Sequence, residues 1–191
     1  MTTDSTHYDR VSSAVRQDWR ELPVAFLAKD PAAKSRWEIL LLYPGVKAVV
    51  MHRIAHALWQ AEWWFCARAV SEFARFLTGI EIHPAATIGR RLVIDHGMGV
   101  VIGETAVIED DVLIYQGVTL GGRTLSKMRR HPTVKSGVTI GAGASVLGAI
   151  TIGARAQIGG GALVLKDVSP DAVAIGVPAV EVSGGASSQR E

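Results

Sequence analysis

With 191 residues, the chain is long enough for one sizeable core, or for one domain with a helical appendage. Its 48% hydrophobic and 20% charged residues read as folded, and 20 Lys and Arg against 18 Asp and Glu are too balanced for a nucleic-acid or anionic-membrane binder. The single cysteine, Cys66, excludes an intrachain disulfide.

The opening "MTTDSTHYDR" has no basic and apolar leader, and the chain reads as cytoplasmic. Up to residue 80 the spacing is helical. "VSSAVRQDWREL" (11–22) fits a short amphipathic helix. A second helical segment begins near Ser35, and Pro44–Gly45 should interrupt it. The apolar stretch from Ile39 to Trp59 carries Pro44, Lys47, His52, Arg53 and His56, so it is not a membrane span. Its "HRIAH" (52–56) puts two histidines one turn apart but lacks the Glu of HExxH, so no metal is expected there. The third segment, 62–79, ends in Gly79, a good left-handed cap; Cys66 within it is expected to be buried and inert.

After residue 80 a six-residue period replaces the helical one. Aliphatic residues stand at Ile82, Ile88 and Ile94, then at Ile102, Ile108, Ile114 and Leu120, then at Val134, Ile140, Val146, Ile152, Ile158 and Val164. Such a period predicts a parallel β-helix, whose stacked coils bury one continuous aliphatic column. The period breaks twice. Ile94 to Ile102 is eight residues, with Asp95 and His96 in the gap. Leu120 to Val134 is fourteen, read as two coil sides plus two residues, and "GGRTLSKMRRHPT" reads as a loop leaving the coil. Regular scaffolds depart from their rule at functional sites; the plainer reading is two tolerated surface insertions. The expected division is a helical domain over 1–80, a β-helix over 81–183 and a flexible tail over 184–191.

The stretches "IHPAATIGRRLVIDHGMGVVIGETAVIEDDV", "VTLGG", "RRHPTV", "IGAGASVLG" and "AIGVPA" resemble the serine acetyltransferases, as does "KDPAAK…LLYPGVKAVVMHRIAHALW" upstream. The resemblance covers about 30–180. It implies an α+β chain by segment: an N-terminal helical region, then a left-handed parallel β-helix. It further implies a homotrimer with active sites between subunits, and acetyl transfer from acetyl-CoA to the hydroxyl of L-serine without a metal. His96 matches the catalytic base, a role suited to an imidazole with an ordinary pKa near 6.5. The family's Asp that orients this base is here Glu81, one methylene longer; its plainer reading is a solvated charge. Asp30 and Asp95 match residues that hold the serine amino and hydroxyl end, although Asp30 in "KDPAA" also suits a helix start. Because neighbours on a strand face opposite ways, Asp95 and His96 share a pocket only if the backbone bends between them.

Arg130 matches the clamp on the serine carboxylate, which a guanidinium can grip through two bonds. His131 matches a second site histidine, and Glu104 a lesser site residue with a capping role as its alternative. The pantetheine arm of CoA is expected along backbone at Gly121, Gly122, Ala142 and Gly160, with Lys166, Arg155 and Lys127 as candidates for its phosphates. L-cysteine is expected as a feedback inhibitor. The family's partner O-acetylserine sulfhydrylase docks a C-terminal Ile, whereas this chain ends "SSQRE". Two other readings stay open: a hexapeptide-repeat acetyltransferase acting on a sugar or amine, and a zinc lyase of the γ-carbonic anhydrase type, which would need a three-histidine site.

Overall fold

The computed structural model describes residues 19–125 and 128–182. The predicted helix over 11–22 lies largely outside them; the described part of α1 runs over 19–29. Three helices follow: α2 (Arg36–Leu42), α3 (Pro44–Gln60) and α4 (Trp64–Thr78). Ser35 caps α2 by accepting the Glu38 N–H at 3.1 Å. Pro44 starts α3, as a residue without an N–H suits the first helical position. Gly79 ends α4 at φ 70° and donates to the Arg75 carbonyl at 2.8 Å. Cys66 is exposed on α4, contrary to expectation: the apolar side of this helix is not all turned inward.

From Glu81 the chain coils. Strands β1 (Glu81–Ile82), β2 (Thr87–Ile88) and β3 (Val93–Ile94) form the first coil. The later coils repeat it through β4 (Val101–Ile102), β5 (Val107–Ile108), β6 (Leu113–Ile114), β7 (Thr119–Gly121), β8 (Thr133–Val134), β9 (Thr139–Ile140), β10 (Ser145–Leu147), β11 (Thr151–Ile152), β12 (Gln157–Ile158) and β13 (Leu163–Val164). They stack into three parallel sheets: β1-β4-β7-β10-β13, β2-β5-β8-β11, and a third continuing β3-β6-β9-β12 into β14 (Val173–Gly176). The last strand, β15 (Ala179–Val182), turns back antiparallel on β14. All thirteen aliphatic positions of the six-residue period are buried.

One reading of the spacing is corrected. β7 and β8 occupy adjacent sides of the coil, since β7 pairs with β4 and β8 with β5. The fourteen-residue interval is therefore one side plus an eight-residue insertion, not two sides plus two residues. The two-residue insertion falls where the third sheet passes to the first, and the eight-residue one where the first passes to the second.

The ladder is polar. Strand N–H groups donate to the next coil: Glu81 to Val100 O, Thr87 to Ala106 O, Val93 to Val112 O. The carbonyls of the first coil consequently face the helices without strand partners. Ser71 Oγ donates to Ile82 O at 2.6 Å. Arg53 donates to Ile88 O and Gly89 O at 2.5 and 2.6 Å, and His56 Nδ1–H to Pro84 O at 2.7 Å. The "HRIAH" motif is thus a cap on the open end of the β-helix. His52, between these donors, is buried against the Ala86 backbone with neither ring nitrogen in a hydrogen bond, and burial holds its pKa well below the ordinary value.

At Gly45, α3 touches the same edge: a Cβ there would lie 2.2 Å from Ile94 O. Gly45→Ala gains at most about 1 kcal/mol of helix propensity against about 1–3 kcal/mol of overpacking. We expect a net loss of stability, read as a lowered Tm.

Candidate active site

Two clusters form at opposite edges of the first sheet. The first lies in the two-residue insertion. His96 takes φ 57°, followed by Gly97 at 78° and Gly99 at 77°. A histidine in the left-handed region is uncommon and marks a constrained turn. Asp95 Oδ1 accepts the His96 N–H at 2.9 Å, and Asp95 O accepts Gly97 N–H at 2.6 Å. The reversal brings His96 Nε2 to 3.9 Å from Asp95 Oδ2, with the imidazole 72% exposed and the carboxylate 16%.

Asp30 is linked to this turn through Tyr43, which feels the Asp95 charge. Its Oδ1 accepts Ala32 N–H at 2.8 Å and its Oδ2 accepts the Tyr43 hydroxyl at 2.7 Å. This bond, then burial, then the charges of Asp30, Glu38 and Asp95 raise the Tyr43 pKa to about 12. Tyr43 was absent from the sequence-derived site; its position before Pro44 signalled only a helix junction.

The second cluster surrounds the foot of the eight-residue insertion. Arg130 Nη2 lies 2.5 Å from Glu104 Oε2. His131 is buried, and its Nδ1 receives the Thr105 N–H at 3.1 Å. Burial, then the Arg130 charge, lower its pKa, partly offset by Glu104. His83 stands nearby, edge-on to Trp59 at 5.1 Å; burial first, and the cations Arg68 and Arg130, keep it lowered too. Arg129 donates to the Thr133 hydroxyl.

Other predicted residues scatter. Among the described residues Glu81 makes no hydrogen bond or ion pair with His96: its Oε2 lies 3.4 Å from Arg75 Nη1, and it lines a cleft of about 560 Å³ with Arg75, Phe76 and Met98. Gly121 and Gly122 lie on the Arg130 edge, where a Cβ on Gly122 would meet Arg130 Cγ at 3.3 Å. Ala142 and Gly160 stack on the opposite edge, Gly161 N–H donating to Ala142 O at 2.8 Å. Lys166 is exposed; Arg155 is engaged by Asp171 through two 2.6 Å bonds; Lys127 lies outside the described residues. Among the described residues, no three His, Cys, Asp or Glu gather as a metal site, and no helix is long and apolar enough to cross a membrane.

A serine acetyltransferase of Helicobacter pylori strain J99 is 56% identical over 157 residues, covering 82% of this chain and 92% of its own length. The chain belongs to the serine acetyltransferase family. The Bacillus subtilis serine acetyltransferase is 52% identical over 164 residues, 85% of this chain and 76% of its own. Among solved structures, the Neisseria gonorrhoeae serine acetyltransferase in complex with serine superposes with a TM-score of 0.87 at 37% identity, covering 93% of this chain and 74% of its own. Serine acetyltransferase complexes with cysteine (TM-score 0.90, 39% identity, covering 95% and 70%) and with CoA (0.85, 39%, covering 93% and 73%) share the fold. No protein-family model matches the chain.

Asp30→Asn should let Tyr43 ionise nearer the ordinary tyrosine value of about 10. Phenolate absorbance at pH 11 checks this, with Tyr43→Phe identifying the signal.

Proposed function

We propose that the protein transfers the acetyl group of acetyl-CoA to the hydroxyl of L-serine, giving O-acetyl-L-serine and CoA. The observation that carries this is the likeness to serine acetyltransferases over more than four-fifths of the chain, with the Asp95–His96 and Arg130–His131 pairs both intact. His96 takes the hydroxyl proton as the serine oxygen attacks the thioester carbonyl. The C–S bond then breaks, and the proton passes to the departing thiolate. The exposed, left-handed His96 suits a base that must meet a substrate arriving from outside the chain. Asp30 and Asp95 offer two carboxylates to the ammonium. Arg130, steadied by Glu104, takes the carboxylate, and His131 offers a neutral donor to the developing oxyanion. Asp95 is the carboxylate at hand for His96; Glu81 meets Arg75 through Oε2.

The two half-sites lie on opposite edges of one sheet, as do Gly121–Gly122 and Ala142–Gly160. A homotrimer of left-handed β-helices brings one edge against the unlike edge of the next subunit and completes each site with its CoA groove; Lys166 would meet CoA phosphate. The exposed Phe65, Phe73, Phe76 and Leu77 on α4 are consistent with burial between copies. L-cysteine presents the same ammonium and carboxylate as serine and is expected to compete with it. The use of acetyl-CoA, a metabolite held inside cells, supports the reading of a cytoplasmic enzyme. We assign the described residues up to 80 to a helical region and those from 81 to a catalytic β-helix; the expected tail over 184–191 lies outside the described residues.

Thiol release should occur with acetyl-CoA and L-serine, and not with sugars or simple amines. His96→Ala should lose about 10²–10⁴-fold in kcat/KM with the oligomer intact by light scattering; a fully active variant refutes the base assignment. Arg130→Lys should raise the KM for serine and leave that for acetyl-CoA nearly unchanged.

A further inference from the structure

Thr105 touches both residues of the second half-site at once. Its Oγ1 accepts the backbone N–H of Arg130 at 3.0 Å and of His131 at 3.1 Å. Its own backbone N–H points at His131 Nδ1 at 3.1 Å, and Oγ1 lies 2.8 Å from that same nitrogen. These contacts have one consistent assignment. A ring nitrogen that receives a backbone N–H carries a lone pair. Both lone pairs of the threonine oxygen are engaged by Arg130 and His131, so its single proton is directed at Nδ1 as well. The ring proton then resides on Nε2.

Two further observations bear on this arrangement. The eight-residue insertion rejoins the coil at Arg130–His131, so Thr105 is where its returning end is fastened. On the other side of the ring, Gly103 leaves room for it: a Cβ there would lie 2.1 Å from His131 Cδ2 and 2.2 Å from Nε2.

We propose that Thr105 is a positioning residue of the serine site, fixing His131 as the Nε2–H tautomer and holding the Arg130–His131 backbone in register with Glu104. This rests on the assignment of His131 and Arg130 to substrate given above. A histidine held this way is a hydrogen-bond donor toward substrate and cannot take a proton through Nδ1 without breaking both contacts from Thr105. It thereby divides the labour with His96, which stays free to act as base.

The test compares Thr105→Val, which keeps shape and removes the hydroxyl, with Thr105→Ser, which restores it. Thr105→Val should lower kcat/KM for L-serine by roughly tenfold or more, with the KM for acetyl-CoA within about twofold; Thr105→Ser should return most of the loss. Gly103→Ala, which leaves Thr105 intact but drives a methyl into the ring, should show the same serine-selective loss. In parallel, long-range ¹H–¹⁵N correlation of ¹⁵N-histidine-labelled wild-type protein, assigned by the peaks lost in His131→Gln, should show a bare Nδ1 and a protonated Nε2. A protonated Nδ1 in the wild type overturns the proposal whether or not the variants fold. So does wild-type kinetics in Thr105→Val, an equal loss of both substrates, or failure of Thr105→Ser to rescue. If the wild-type protein does not acetylate serine, the functional reading falls while the tautomer measurement still decides this one.

Discussion

The structure depends on the one-way polarity of its hydrogen-bond ladder. Each strand donates forward to the next coil, so the β-helix begins with a row of strand carbonyls that no strand can satisfy. An orphaned carbonyl in an apolar interface costs free energy comparable to a lost hydrogen bond. Helices α3 and α4 supply the missing donors from Arg53, His56 and Ser71. The helical region is therefore the lid of the solenoid, and its position is dictated by the carbonyls beneath it. That docking also brings Tyr43, with Asp30 bonded to it, within reach of the Asp95 charge. An accounting of backbone polar groups thus sets where half of the candidate site lies.

The same stacking explains where the site can form. Strand positions are committed to the ladder along both edges and to the aliphatic column on their inner face, so a change in length is absorbed only at a corner. Both insertions fall at corners flanking the first sheet, and pairing downstream is undisturbed: Thr133 still stands against Val107 and Thr151. The inserted residues are free of the period, and the two clusters of the candidate site form there. The cost is local, a left-handed His96 and a tightly fastened Arg130–His131.

Much of this was legible in the sequence. A strict six-residue period leaves little freedom, since a slip of one residue would turn the column out to water; all thirteen positions are buried as expected. Pro44 and Gly79 likewise marked their helix ends because a missing N–H and an absent Cβ each have few uses. What was not legible depended on partners distant in sequence. Glu81 looked like a companion to His96, but its carboxylate turns to Arg75 on α4. Tyr43 carried no local sign of Asp30. "HRIAH" suggested nothing beyond a rejected metal motif, because the carbonyls it caps lie some thirty residues later. The fourteen-residue interval was misread because spacing counts residues, and only strand pairing says on which side they resume.

The corners themselves are not alike. Where the second sheet passes to the third, the left-handed positions are Arg91, Asp111, Gly137, Arg155 and Asp171, and Arg91–Asp111 and Arg155–Asp171 pair across successive coils. Where the third passes to the first they are His96, Gly97, Gly99, Gly117, Gly143 and Gly161, glycine at every turn but for His96 in the insertion. Non-glycine residues in this conformation cost roughly 1–2 kcal/mol each, so one edge accepts strain to display fixed charge while another, His96 apart, turns on glycine. A triangular prism with one charged edge and one glycine edge is a vectorial object. It can tell its own sides apart, and contacts it makes with anything, its own copies included, begin with an orientation already chosen.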